Sequence, residues 1–154
     1  SNLALMIKKL SDSGVQGLVL FNRFYSPDFD IDKMEVTATN VLSHPDELPI
    51  SLRWIAIMAN RVGCDLAAST GIHSGEAVIK QLLAGANAVQ VVSTIYNNGP
   101  EKIQNILKDI KKYMISNKFE TIGDFRGKMS QAESGNPSVY ERVQFMRYFS
   151  DRDK

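Results

Sequence analysis

Three short apolar runs, each followed by a segment with helical spacing, constrain the fold of this chain most strongly. The runs span residues 17–22, 64–69 and 88–93, and none of them alternates strictly between polar and apolar side chains. Such runs are typical of strands that are buried on both faces, as in parallel sheets. Strands that alternate with helices along a chain predict a parallel α/β sheet.

Turn and capping residues mark where the helices between these strands begin and end. An apolar face recurs through residues 3–13, and Gly14 follows it. Pro49 and Pro100 each suit the start of a helix, where a missing N–H costs nothing, and the hydroxyl of Ser74 suits an N-cap. The predicted order from residue 3 to residue 115 is helix, strand, connection, helix, strand, helix, strand, helix.

Two segments lie outside this repeat. The connection 23–48 is long, and the alternation through residues 33–38 within it predicts a small surface strand or hairpin. Connections of this length are usually functional in compact domains. Further along, the polar stretch 130–136 is typical of a linker, and Asn136 followed by Pro137 predicts the start of a final helix.

Charge and composition exclude several classes of function. The chain has 18 basic and 17 acidic side chains and a net charge of +1, without the basic excess of a surface that binds nucleic acid or anionic membranes. No apolar run approaches the roughly 18–20 residues that span a bilayer, and residues 1–10 lack the features of a signal peptide. A single cysteine, Cys64, agrees with a reducing compartment. We expect a cytoplasmic protein that binds neither nucleic acid nor membranes.

Cys64 and the two histidines favour structural roles. Cys64 begins a predicted buried strand, where a free cysteine behaves as a small hydrophobic residue. His73 precedes a helix and His44 lies in a turn, and no second ligand stands at metal-binding spacing to either. We therefore predict that both histidines face solvent and that the chain holds no metal.

The number of strands leaves two architectures open. Three strands with their helices occupy about 115 residues, whereas a complete (β/α)₈ barrel needs roughly 250. The chain is either a small open sheet or the later part of a barrel, and composition does not choose between them. In a barrel, residues 1–129 would form a partial barrel segment with phosphate-binding loops, and residues 130–154 a linker and C-terminal helix.

The residues that follow the second and third strands have the composition of a phosphate site. Ser69, Thr70 and Gly71 follow one strand, and Ser93 and Thr94 end the next. Small residues let backbone N–H groups approach a phosphate closely, and the loops after strands seven and eight are the usual phosphate site of a (β/α)₈ barrel. A glycine turn that binds nothing is the alternative, since a chain also needs glycine to reverse its direction.

A much longer resemblance covers almost the whole chain. The segments 71–80, 83–86 and 89–92 resemble the C-terminal half of the dihydroorotate dehydrogenase family, and the tail is similar through residues 141–146. The similarity extends to a bacterial dihydroorotate dehydrogenase-like branch, in which Asn-Arg-Phe-Tyr follows a strand ending in Val-Leu-Phe, as in residues 19–25. The resemblance implies the C-terminal part of a (β/α)₈ TIM-type barrel, with an insert after the first strand and an extra C-terminal helix.

The resemblance also implies a cofactor. Members of the family bind FMN and oxidise a CH–CH bond beside a carbonyl group, a step in pyrimidine biosynthesis. Their cofactor phosphate is held at positions that correspond to Ser69, Thr70 and Gly71 and to Ser93 and Thr94, although Thr70 and Ser93 stand where the family usually has glycine. We expect Gly71→Val, whose side chain would fill the space of the phosphate, to weaken FMN binding more than Ser93→Ala.

The substrate side of the family's site corresponds to Asn22. An amide offers both a donor and an acceptor to a planar ring such as orotate or dihydroorotate, and a turn residue at a strand end is the alternative. Arg23 stands where the family usually has a small hydroxyl residue. Its guanidinium would either bind a substrate carboxylate or form a surface ion pair.

The groups needed for catalysis are implied to lie outside this chain. The family's base, a cysteine or serine, and the lysine beside the flavin ring belong to earlier loops, and Cys64 does not match that base. We therefore expect about 150 further N-terminal residues in the gene and little dehydrogenase activity from this chain alone. Expected partners are the remainder of the barrel and an orotate-like substrate, and the resemblance allows a homodimer. The alternatives are a non-catalytic phosphate-binding module and another phosphate-binding barrel, such as an aldolase-like lyase.

Overall fold

The chain contains five strands and five helices within residues 2–23, 26–38 and 41–141, the part described by a computed structural model. The strands are β1 (Gly17–Leu20), β2 (Pro27–Asp30), β3 (Glu35–Ala38), β4 (Asp65–Ala68) and β5 (Ala88–Val89). The helices are α1 (Asn2–Asp12), α2 (Leu48–Met58), α3 (Gly75–Ala84), α4 (Ser93–Asn98) and α5 (Glu101–Ser116). Short 3₁₀ turns lie at Pro45–Glu47, Ile122–Asp124 and Pro137–Tyr140.

The main sheet has three parallel strands in the order β1-β4-β5. Val19 pairs with Ala67, and Ala67 pairs with Ala88 on the other side. The predicted parallel α/β arrangement is therefore confirmed. Because all three strands run in the same direction, the loops that follow β1, β4 and β5 lie along one edge of the sheet.

Within the described residues, helices cover one face of this sheet. Leu20, Leu66 and Ala68 are buried against α2 and α3, and together they form the centre of the apolar core. The opposite face carries Val19, whose side chain is 47% exposed, together with Ala88. The prediction that β1 is buried on both faces is therefore wrong for the described residues, since none of them covers this second face.

Two predicted boundaries also move. The third strand was expected to reach residue 93, but β5 ends at Val89. One more hydrogen bond of the ladder follows, from the Gln90 N–H to the Ala68 carbonyl, and α4 then begins at Ser93. Cys64 lies just before β4 and is half-buried, with its backbone N–H donating to the Ser11 hydroxyl. Tertiary contacts decide where β4 begins and where β5 ends. The hydropathy of the local sequence does not show those contacts.

Helix α3 lies between α2 and α5 and begins and ends as its sequence predicts. The Ser74 hydroxyl accepts a hydrogen bond from the Ala77 N–H, and Gly85 ends the helix in the left-handed region. At its first turn α3 approaches α5 closely, because a side chain built on Gly75 would lie 2.3 Å from the Cβ of Asp109. This contact sets the angle at which α3 leaves the sheet edge.

The connection between β1 and α2 holds the predicted hairpin. Strands β2 and β3 pair antiparallel with Phe29 opposite Val36, and those two side chains are 69% and 64% exposed. Asp28 and Glu35 alternate with them and so point to the other face of the hairpin. The hairpin therefore presents one apolar and one acidic face.

The start of the predicted linker packs against α2. Ser130 and Gln131 are buried, and the Gln131 N–H donates to the Ala56 carbonyl at 2.8 Å. The division of the chain at residue 129 stays a prediction. Of the predicted final helix, the structure describes only the 3₁₀ turn at Pro137–Tyr140, and its continuation through residues 142–154 lies outside the described residues.

Candidate functional site

A cavity of about 210 Å³ opens at the sheet edge where β1 and β4 end. Sequence analysis assigned Asn22 to the substrate and Ser69 and Thr70 to the cofactor, and the fold brings all three to this cavity. Its other lining residues are Phe21, Arg23, Ser26, Glu47, Ile50 and Ser51. The cavity therefore joins the end of β1, the loop after β4 and the beginning of α2.

Asn22 lies at the mouth of this cavity with its amide only partly used. Its Oδ1 accepts a hydrogen bond from the Arg23 N–H at 2.9 Å. Its Nδ2 donates to no residue in the described ranges, and the side chain is exposed. Both interpretations of the sequence stay predictions, since Asn22 lies two residues beyond the end of β1 and also lines the cavity.

Arg23 is held by a carboxylate from the connection that follows it. Its Nε lies 3.0 Å from the Glu47 Oε1, and both side chains are about a quarter to a third exposed. The other carboxylate oxygen of Glu47 accepts from the His44 N–H at 2.8 Å. Of the two roles expected for Arg23, the ion pair is therefore present, although it lies in the cavity wall.

The environment of Glu47 favours its charged form. Partial burial opposes ionisation, but the hydrogen bond from the His44 N–H and the guanidinium of Arg23 outweigh that effect. Together they hold the pKa of Glu47 below its ordinary value. The carboxylate therefore stays charged at neutral pH and fixes the 3₁₀ turn at Pro45–Glu47 against the end of β1.

The loop after β4 contains two successive residues in the left-handed backbone region. Thr70 and Gly71 both have positive φ, at 74° and 76°. The Thr70 hydroxyl donates to the Phe21 carbonyl at 2.9 Å, so the side chain that replaces the family's glycine ties β4 to β1. The N–H groups of Thr70, Gly71 and Ile72 make no hydrogen bond to the described part of the chain.

Gly71 is required by a contact that sequence analysis did not anticipate. A side chain built on it would lie 2.3 Å from the backbone nitrogen of Leu48 and 2.8 Å from the carbonyl carbon of Glu47. The expected reason for the effect of Gly71→Val is therefore wrong, because the valine would collide with the start of α2. That substitution would test the packing of the loop and would not isolate the contribution of the loop to phosphate binding.

Ser93 and Thr94 lie beside this loop, with their side chains already bonded. Thr94 is fully buried, and its hydroxyl donates to the His73 carbonyl at 3.4 Å. The Ser93 hydroxyl accepts from the Ser43 N–H at 2.9 Å. Among the described residues, the N–H groups of Ser93 and Thr94 have no acceptor. These two residues therefore offer backbone donors shortly after β5, the strand that pairs with β4.

His73 is not the solvent-facing residue that its sequence position predicted. Its side chain is half-buried, and its Nε2 lies 3.2 Å from the Ser43 hydroxyl. His44, in contrast, is exposed, and its Nδ1 lies 3.1 Å from an Asp46 carboxylate oxygen. His73 was mispredicted because the residue that covers it, Ser43, belongs to a connection that is distant along the chain.

The described ranges contain neither a metal-ligand cluster nor a membrane-spanning helix. No three histidine, cysteine, aspartate or glutamate side chains converge there as metal ligands do. None of the helices in those ranges is long and apolar enough to cross a membrane.

Comparison with known proteins identifies the family. Residues 2–114 match the sequence profile described as dihydroorotate dehydrogenase, which is well over half of the chain. The chain belongs to the dihydroorotate dehydrogenase family. The resemblance carried by residues 71–92 is thereby confirmed.

Relatives in the family are similar over most of this chain. The catalytic subunit of dihydroorotate dehydrogenase B (NAD(+)) from Citrifermentans bemidjiense is 29% identical over 130 residues, which cover 82% of this chain and 42% of the relative. The corresponding subunit from Thermoplasma acidophilum is 30% identical over 112 residues, covering 71% of this chain and 37% of the relative. The chain thus spans about two fifths of the length of these relatives.

Solved structures of the family share the fold. Ligand-free dihydroorotate dehydrogenase from Eimeria tenella superposes with a TM-score of 0.67 at 20% identity, over 82% of this chain and 36% of that one. The same enzyme in complex with ferulenol gives a TM-score of 0.62 at 20% identity, over 76% of this chain and 32% of that one. The parallel α/β arrangement therefore fits a segment of a TIM barrel.

Ser43, Glu47 and Ser51 are site residues that sequence analysis missed. All three come from the connection 23–48 or the start of α2, and they reach the edge of the sheet through the 3₁₀ turn at Pro45–Glu47. The only signal in the sequence was the unusual length of that connection.

Proposed function

We propose that this chain is the C-terminal part of an FMN-dependent oxidoreductase of the dihydroorotate dehydrogenase type, and that it supplies the phosphate end of the flavin site. One observation carries the proposal. The loops after β4 and β5, which follow two paired strands of the sheet, carry five backbone N–H groups that have no acceptor in the described ranges, in a chain of this family.

These N–H groups fit a phosphate. Gly71 and Ile72 are buried, and a buried N–H without an acceptor is costly in a folded protein. A phosphate between Thr70–Ile72 and Ser93–Thr94 would accept from both loops, as in the usual phosphate site of (β/α)₈ barrels. Backbone donors do not depend on side-chain identity, so Thr70 and Ser93 replace glycine there without removing a donor.

Asn22 and the cavity would form the substrate side. The free Nδ2 of Asn22 would donate to a carbonyl or carboxylate oxygen of an orotate-like ring. The guanidinium of Arg23, which Glu47 holds in the cavity wall, would bind a substrate carboxylate there. FMN, when bound, would accept the hydride from the substrate, while the base belongs to a part of the protein outside this chain.

The remainder of a barrel would cover the open face of the sheet. Parallel sheets occur almost only with both faces covered, and here Val19 and Ala88 are exposed. The relatives are more than twice as long as the match, which leaves ample chain to form the other strands. A homodimer and a cytoplasmic location stay predictions.

Flavin binding by the full-length protein tests the proposal. We expect the protein to bind FMN much more tightly than riboflavin, which lacks the phosphate, and to oxidise dihydroorotate. Titration of the flavin-free protein followed by flavin fluorescence measures both affinities. Equal affinity for the two flavins would contradict the proposed phosphate site. Binding of inorganic phosphate without flavin would favour a non-catalytic phosphate-binding module.

A further inference from the structure

We propose that Trp54, on α2, is a positioning residue for the substrate, because it holds the ring of Phe21 as an apolar wall of the cavity against which a planar substrate ring packs. The inference rests on the proposed function and deepens it. It adds an aromatic contact to the polar contacts assigned to Asn22 and Arg23, and it places the residue that controls this contact outside the cavity.

Phe21 brings an apolar surface to the polar end of the cavity. It follows β1 directly and precedes Asn22 and Arg23, and all three residues line the cavity of about 210 Å³. Ile50, from the first turn of α2, is another apolar residue of this lining. A planar ring whose polar atoms bind Asn22 or Arg23 therefore lies close to the Phe21 ring, and aromatic side chains favour stacked or edge contacts with such rings.

Trp54 fixes the orientation of the Phe21 ring. The two ring centroids are 6.5 Å apart and the ring planes cross at 88°, which is an edge-to-face pair. Both side chains are half-buried and pack against the apolar core. Trp54 does not itself line the cavity, so its effect on a substrate passes through Phe21.

Contacts on both sides keep this aromatic pair in place. The Thr70 hydroxyl donates to the Phe21 carbonyl at 2.9 Å, which fixes the backbone that carries the ring. The guanidinium of Arg53 lies 5.8 Å from the centroid of the Trp54 ring, and its Nε donates to the Tyr140 carbonyl at 2.7 Å. Because the pair is ordered before the substrate arrives, less side-chain freedom is lost on binding.

Steady-state kinetics of the full-length, FMN-loaded protein with dihydroorotate test this role. Trp54→Leu leaves the Phe21 ring without its edge-to-face partner. We expect it to raise the KM for dihydroorotate and the inhibition constant of orotate by about twofold to tenfold, which corresponds to the loss of one aromatic contact. The kcat and the FMN content should stay at the values of the parent, because the contact is the same before and during the reaction. Trp54→Phe keeps an aromatic partner and should restore most of the affinity.

Two further variants separate positioning from packing. Phe21→Leu should weaken substrate binding at least as much, and the addition of Trp54→Leu to it should have no further effect, because Trp54 acts through Phe21. Phe119→Leu is the matched control, since it removes a half-buried ring that stacks on Phe125 and does not line the cavity. It should lower the melting temperature without changing the KM.

The outcomes that contradict the inference are distinct from those that contradict the proposed function. An unchanged KM in Trp54→Leu, a loss that Trp54→Phe does not restore, or effects that add in the double variant would each overturn the role of Trp54 and leave the proposed function standing. A parallel fall of kcat and FMN content would also overturn it, because the variant would then disturb the whole site. A parent protein that binds FMN but does not oxidise dihydroorotate would contradict the proposed substrate and this inference with it.

Discussion

Thr70 is the residue at which this chain departs most clearly from a simple glycine loop. Its φ of 74° lies in a region that β-branched residues rarely adopt, at a cost on the order of 1–3 kcal/mol. Its hydroxyl donates to the Phe21 carbonyl and so joins the ends of β1 and β4. The hydrogen bond offsets part of the strain and also fixes the loop whose N–H groups we assign to phosphate.

Substitutions of Thr70 separate these two effects. Thr70→Val keeps the β-branch and loses the hydrogen bond, so we expect it to lower the free energy of unfolding by about 1 kcal/mol. Thr70→Gly loses the same bond and relieves the strain, so it should be more stable than Thr70→Val. Urea denaturation of the two variants and the parent measures the difference. Equal stability of valine and parent would show that the hydroxyl contributes nothing.

The lowered pKa of Glu47 predicts that the stability of the protein depends on pH. Its folded-state pKa is lowered, so its contribution to stability is complete above the unfolded value near 4.5 and disappears as pH falls through the lower folded value. Glu47→Gln should therefore be less stable than the parent at pH 7, by less than about 1 kcal/mol for this partly exposed pair, and the difference should vanish in acid.

The control for this experiment is Glu133→Gln, which changes an exposed carboxylate distant in sequence from the cavity. It should track the parent across the same pH range in denaturation experiments. A stability difference between parent and Glu47→Gln that stayed constant down to pH 3 would exclude the charged pair as its source.

At the scale of elements, the packing of α3 on α5 depends on the absence of a side chain at Gly75. Gly75→Ala would place a Cβ against the Cβ of Asp109, and overpacking of this kind costs typically about 1–3 kcal/mol. Gly63→Ala is the matched control, since a side chain there would meet nothing within 4 Å. We expect thermal denaturation to show a clear loss for Gly75→Ala only. Similar midpoints for both variants would mean that α3 and α5 can separate without cost.

The connection between β1 and α2 acts as an element of the site as well as a link. Ser43 in this connection contacts His73 and Ser93, and Glu47 near its end pairs with Arg23 near its beginning. Its 3₁₀ turn also packs against Gly71. A connection fixed at these points positions both the cavity wall and the phosphate loop.

At the scale of the whole molecule, the exposed face of the sheet predicts that other strands of a barrel cover it in the full-length protein. If other strands of a barrel cover Val19, then Val19→Lys buries an unpaired charge in the full-length protein. We expect it to lower the free energy of unfolding by about 2 kcal/mol or more. Ile115→Lys, at a site on α5 that is 68% exposed, should change it by less than about 0.5 kcal/mol. Chemical denaturation measures both, and a Val19→Lys protein as stable as the parent would mean that this face stays open to solvent.

The sequence alone determined the order of the three parallel strands and of α1, α2, α3 and α5, the small strand or hairpin at residues 33–38 and the cap at Ser74, whereas it did not predict α4. These features follow from local periods of hydropathy and from residues whose backbone preferences act within a few positions. The pattern of residues 71–92 also determined the family. A pattern of this length depends on many residues together, so a change at Thr70 did not obscure it.

Only the tertiary structure decided which sheet face is covered, where β5 ends and which side chains complete the site. Ser43 and His73 are 30 residues apart, and Arg23 and Glu47 are 24 apart, so no local pattern links them. Gly71 is the clearest case. Its sequence position suggested room for a phosphate, but its missing side chain makes room for the backbone of Leu48, because packing brings that turn against the loop.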